Sequence, residues 1–300
     1  MQKIKNWMLP IAMILGTIFH PWLIHVAFLM PWLIFFMLLF TFAKIGPRDV
    51  KFDKMHLVLL TIQLVGCLGI YWVCSLWNPV IAEALFICVL APTATAAAVI
   101  TGLLGGNVGF LTTYILASNV LISIGAPILF SYIGINRTLP FWQSAWNIAQ
   151  EVMPMLILPL VLAWLIRWLG PKLQQWMVRM SQVPFYLWAL SLTIVTGRTI
   201  YFLMQQDNPN YTTEFIIAGL ALVICVVLFF VGRRLGARRG DPVSAGQALM
   251  QKNTVLAIWL SHIYLNPVAS VGPAAYILWQ NIINSYQLWR KNRKPKVGQQ

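Results

Sequence analysis

Apolar runs of membrane-spanning length recur along almost the whole 300-residue chain. They fall at 6–20, 22–42, 55–77, 80–104, 107–133, 145–168, 183–204, 213–233, 243–263 and 267–289. A segment that is apolar all round belongs to a helix enclosed by lipid or by other helices. The pattern therefore predicts an all-α integral membrane protein with ten transmembrane helices. The first run has about 15 residues against the 17 to 25 a crossing normally needs, which leaves nine crossings open. Between the runs there is no room for a soluble domain of ordinary size, about 100 residues, so 1–300 reads as a single membrane domain. The opening "MQKIKNWMLPIAMILG" has the basic start and apolar centre of a signal peptide. A second apolar run follows at once with no small-residue cleavage site, and the segment is expected to stay as an uncleaved first span.

Charge tests the count independently. Only 9% of residues are charged, yet the net charge is +14. With the N-terminus in the cytoplasm, 18 of the 21 Lys and Arg fall on the cytoplasmic side, including Lys44, Arg48, Lys51, Arg233, Arg239 and a basic tail at 290–300. Only Arg137, Arg198 and Lys252 fall elsewhere. The excess of cations is thereby assigned to membrane orientation and not to nucleic acid, which needs a basic face on a soluble element. Both termini are expected in the cytoplasm.

Two helices carry a fault. "CVLAPTATAAAVITGLLGGNVG" places Pro92, Thr93 and Thr95 in the middle of the fourth run. Proline inside a helix removes a donor and clashes with the preceding turn, at about 3 kcal/mol or more. "MQKNTVLAIWLSHIYLNPV" repeats the polar break in the ninth run at an offset of 159, with Gln251 matching Pro92 and Lys252 matching Thr93. The two runs cross in opposite directions, so the expected fold is two inverted repeats of five with helices four and nine interrupted near the bilayer midplane. Paired interrupted helices in inverted repeats mark the site of a secondary transporter. Each break exposes N–H groups at a half-helix N-terminus carrying roughly +0.5 charge, which suits an anion. Thr93, Thr95 and Asn253 stand at these starts. A proline kink that only shapes packing is the competing reading.

Lys252 sharpens the expectation, because a charge near a helix centre costs about 2.5 to 3.5 kcal/mol on insertion scales and needs a partner or a purpose. It is expected to pair the anionic end of a substrate; the alternative is that it snorkels to the inner interface. Gln280 and Asn281 are adjacent amides in the last run, and Gln63 is a lone amide in the third. Amides at such depth either bind a solute or join helices. Glu83 and Glu214 lie at outer span starts, where carboxylates are solvated. Cys67, Cys74, Cys88 and Cys225 all lie within apolar runs and form no disulfide frame. The histidines show no metal spacing and no catalytic motif occurs, so no enzymatic activity is expected.

Taken in order, "FMLLFTFAKIGPRDVKF", "LAPTATAAAVITGLLGGNVG", "ILPLVLAWLI", "QALMQKNT" and "ILWQNIINS" resemble the bile acid:sodium symporter family over nearly the full chain. The resemblance implies a core at 55–133 and 213–289 working against a panel at 6–42 and 145–204, in a bacterial inner membrane. It implies organic-anion substrates, with Thr95, Lys252, Gln280 and Asn281 at substrate-facing positions and Gln63, Gln247 and Gln251 at sodium-site positions. The chain departs from the family where sodium is held: Ala97 and Ala98 replace a Ser-Asn pair, and Gln247 replaces a glutamate. A hard cation wants several oxygens and usually a carboxylate. No cofactor is therefore expected, and the expected partners are a small organic anion and the lipid bilayer. The alternatives are a true sodium symporter with displaced ligands and, from another class, a membrane enzyme or binder without flux.

Overall fold

The computed structural model describes residues 11–44, 46–49, 51–94, 96–133, 141–180, 182–205 and 210–293. Thr95, the first ten residues of the chain, which include 6–10 of the first expected span, and the end of the basic tail lie outside them. The described chain is helical almost throughout: α1 (11–18), α2 (His20–Leu23), α3 (Met30–Phe42), α4 (Lys54–Ser75), α5 (Pro79–Leu90), α6 (Ala96–Leu104) and α7 (Val108–Ile133). There follow α8 (Phe141–Leu169), α9 (Pro171–Arg179), α10 (Val183–Met204), α11 (Tyr211–Ala237), α12 (Pro242–Met250), α13 (Thr254–Tyr264) and α14 (Val271–Arg293). Among the described residues, five stretches are long and apolar enough to cross a membrane: His20–Phe42, Lys54–Ser75, Val108–Ile133, Val183–Tyr201 and Tyr211–Ala237. The fourth and ninth expected spans are each two short helices, α5 with α6 and α12 with α13.

Helix starts follow from the sequence. Asn78 caps α5 through the N–H groups of Val80 and Ile81, with Pro79 in the first turn, where its missing N–H costs nothing. Asp241 and Pro242 open α12 in the same way. Asn107 caps α7 and Asn253 caps α13. At α4, the Asp53 side chain accepts from the first turn while the Asp53 N–H donates to His56 Nδ1 at 2.8 Å. Since Nδ1 accepts, the proton of a neutral His56 sits on Nε2, which donates to Phe110 O at 2.9 Å.

Apolar side chains cover the outside as well as the inside. Val65, Leu68 and Trp72 of α4 and Val223, Val227 and Phe230 of α11 are exposed. Contiguous apolar surface on this scale is stable against lipid and not against water. Among the helices, α3 packs on α8 and α10, while α11 packs on α12, α14 and α5, and α4 packs on α5. Helix α9 was not anticipated from the pattern, because it is too short and too polar to register as a span. It is amphipathic, with Leu173 and Trp176 exposed, Met177 buried, and Gln174 donating to Ala43 O at 2.8 Å just past the end of α3.

The ends of the broken helices are tied across the molecule. Asn107 N–H donates to Ser244 Oγ at 2.7 Å and to Asp241 Oδ2 at 3.2 Å, joining the α6–α7 turn to the start of α12. Asn266 N–H donates to Glu83 Oε2 at 2.7 Å, joining the turn after α13 to the start of α5. Glu83, expected in water, is buried for this reason. Lys291 Nζ donates to Leu103 O at 2.9 Å, and Asp53 pairs with Arg239, so segments from distant parts of the chain meet at one end of the molecule.

The Arg239 guanidinium holds the Asp53 carboxyl below its ordinary value. A depressed folded-state value adds stability above the unfolded value, about 3.9, and loses it as pH falls through the folded one. The heat-denaturation midpoint is thus expected to hold from pH 8 to 5 and to fall under about pH 4. Asp53→Asn should remove part of that fall; a variant profile superimposable on the parent would remove the bridge from the account.

Candidate functional site

The extended stretches between α5 and α6 and between α12 and α13 lie side by side as an antiparallel bridge between Thr93 and Lys252. Ala94 N–H donates to Gln251 O at 3.1 Å and Asn253 N–H donates to Pro92 O at 2.8 Å. Pro92 explains the first break, since it has no N–H to offer and pushes Ala91 out of the helical region. The second break has no proline. There the N–H groups of Lys252 and Asn253 turn from their own helix to Gln280 Oε1, at 3.0 Å, and Pro92 O.

Side chains then satisfy the carbonyls that the breaks release. Thr93 Oγ1 donates to Ala248 O and Lys252 Nζ donates to Val89 O, both at 2.8 Å. Thr93 and Lys252 are 159 positions apart, and so are Val89 and Ala248. The two backbone bonds of the bridge are related by the same spacing. Gln63 Nε2 donates to Leu90 O at 2.7 Å and Ala91 O at 3.0 Å, with its orientation fixed by Tyr114, whose hydroxyl donates to Gln63 Oε1. Tyr276 donates to Met250 O at 2.9 Å, and Ser118 Oγ accepts from Thr93 N–H at 3.2 Å. A buried polar group left unmatched costs about 1 to 3 kcal/mol, so these donors are what make two broken helices tolerable here.

Lys252 is 1% exposed. It does not snorkel: its ammonium sits at the C-terminal end of α5, where the helix dipole is negative. The physical reason is local, since that end lacks donors and a tethered cation supplies both hydrogen bond and charge. Thr93, Asn253, Gln247 and Gln251 are buried at the crossing. Gln280 meets the crossing through Lys252, whereas Asn281, next to it, is half-buried and donates to Ile277 O of its own helix at 2.6 Å. Ala97 is buried behind the break, and Ala98 lines a cavity of about 1130 Å³ together with Gly102, Thr112 and the turn after α3.

Ser118, Tyr114, Tyr276 and Asn284 belong to the site and were missed from the sequence. Asn284 accepts from Gln247 Nε2 at 3.2 Å. A signal existed in α14, since Tyr276, Gln280 and Asn284 recur every four residues and share a face. Gln247 Oε1, Gln251 Nε2 and Asn284 Nδ2 are buried with no hydrogen-bond partner among the described residues.

Among the described residues no carboxylate stands at either break, Ala97 and Ala98 offer no side-chain oxygen, and the carbonyls of Ala248 and Met250 already accept from Thr93 and Tyr276.

A membrane chain whose two broken helices bind each other at their breaks has the build of a transporter. Comparison with known proteins agrees: the protein named "Putative symporter YfeH" of Escherichia coli K12 is 26% identical over 234 residues, covering 73% of this chain and 68% of its own length. No protein-family model matches the chain.

Proposed function

We propose that the chain is a secondary transporter of small organic anions in a bacterial inner membrane, similar to the bile acid:sodium symporter family, working by alternating access without sodium coupling. The observation that carries the reading is the crossing, where four hydrogen bonds from two breaks pair at one spacing of 159. That pairing supports two inverted repeats of five crossings, and the distribution of Lys and Arg supports cytoplasmic termini. Helix α3 packs with α8 and α10, and α11 with α5, α12 and α14, while α7 on α8 and α13 on α10 join the two sets; this arrangement supports a panel working against a core. In this reading the substrate's anionic end meets the N-terminal starts of α6 and α13, near Thr93, Thr95 and Asn253, with Gln280 and Asn281 close by.

Sodium coupling is replaced by a fixed charge. Lys252 places an ammonium on the carbonyl end of α5, and an ammonium donates three hydrogen bonds without needing an ion gradient. Purified protein in liposomes should take up a labelled carboxylate at equal rates in sodium and in potassium buffer. A steep sodium dependence would restore a symporter reading, and affinity without flux would point to a binder.

A further inference from the structure

The cavity between α6, the start of α7 and the turn after α3 carries three cations in its lining, Lys44, Arg48 and Lys51, which lie between α3 and α4. None of the three forms an ion pair among the described residues. The other titratable groups of the lining are engaged, Asp53 with Arg239 and His56 with the backbone of Asp53 and Phe110. Burial lowers Lys44 from the ordinary lysine value, and a partly desolvated ammonium gains from a counter-anion. From this rim the lining runs inward along α6 to Ala98, just past the first break. Ala98 and Leu103, both in the lining, are five residues apart, or about 7.5 Å along the helix.

We infer that this cavity is an anion-docking vestibule and that the solute is an organic dianion, one anionic group held toward the crossing and the other by Lys44, Arg48 and Lys51. The inference rests on the organic-anion reading above and adds a second charge to the substrate. Cations at a membrane rim also suit an anionic lipid headgroup, but a headgroup stays at the lipid-facing perimeter, while this lining leads to the start of α6.

The test is calorimetric titration of the full chain in phosphatidylcholine nanodiscs with adipate, a dicarboxylate, and with hexanoate, its monoanionic counterpart. Three exposed charge contacts add up to about a tenfold preference for adipate. The triple variant Lys44→Gln, Arg48→Gln, Lys51→Gln should bring the ratio toward one, while Arg290→Gln, an exposed cation outside the cavity, should leave it in place. Arg48→Glu alone should also lower the ratio, so a triple variant that fails to assemble does not end the test. A preference that survives these changes overturns the vestibule. Hexanoate binding and uptake with no dianion preference would overturn it and leave anion transport standing; no binding or uptake of either would remove both. A loss that shows only when phosphatidylglycerol is included would assign the cations to lipid and overturn the inference.

Discussion

Replacing Lys252 with methionine abolishes anion uptake in sodium and in potassium buffer alike, while the chain still reaches the membrane. Two terms decide this. Burying a lysine costs about 2.5 to 3.5 kcal/mol, so its removal relieves the fold of a comparable burden. The same change leaves Val89 O without its donor at the negative end of α5, a hydrogen bond to a charged group that contributes about 1.5 to 3 kcal/mol. In stability the terms offset; in the geometry of the crossing only the loss counts, equivalent to about ten- to a hundredfold in an equilibrium constant. Lys252→Arg is not expected to rescue, because a planar guanidinium does not reproduce a compact ammonium in a closed site. The measurement is initial uptake per correctly assembled protein in both buffers. A methionine variant with parental rates would show that the ammonium has no part in transport.

Gly232→Val should prevent correct assembly. A Cβ at Gly232 would clash with Ala245 O, a backbone atom that cannot step aside unless α12 moves. Overpacking of this kind costs about 1 to 3 kcal/mol where side chains can yield, and more where only backbone is available. Helix α12 also carries the Ala248 and Met250 carbonyls of the crossing, so its displacement reaches the site. Gly219→Val, on the same helix but with nothing within 4 Å, serves as the control and should be silent. Equal size-exclusion profiles and heat-denaturation midpoints for the two variants would refute the close contact of α11 with α12.

The helical pattern was legible because lipid permits only one simple signal, an unbroken apolar run. Pro92 announced the first break through its own covalent structure. The second became legible only by comparison with the first, since nothing in "MQKNT" forbids a helix, and its interruption comes from Gln280 and Pro92 O competing for its N–H groups. Lys252 shows the limit most clearly. Its depth was evident from the sequence, but its direction was not, because the same residue suits a substrate carboxylate or a bare helix end. Tyr114 and Tyr276 lie within apolar runs that give no sign of their role, although each spends its hydroxyl on the crossing. Helix α9 escaped a search for long apolar runs and would have needed one for amphipathic period.

The reciprocal bonding of the two breaks has a mechanical consequence. Thr93 and Lys252 each hold the other's helix, so bending the chain at one break would strip donors from both at a depth where no water replaces them. The crossing is therefore stiff where a bent helix usually yields. It acts as a rivet between α5, α6, α12 and α13: under the alternating access proposed above, these four helices would be carried as one unit past their neighbours. The compliant parts of such a machine lie at its margins, in the turns and at the faces between the helix groups, and not at the polar centre that first drew notice in the sequence.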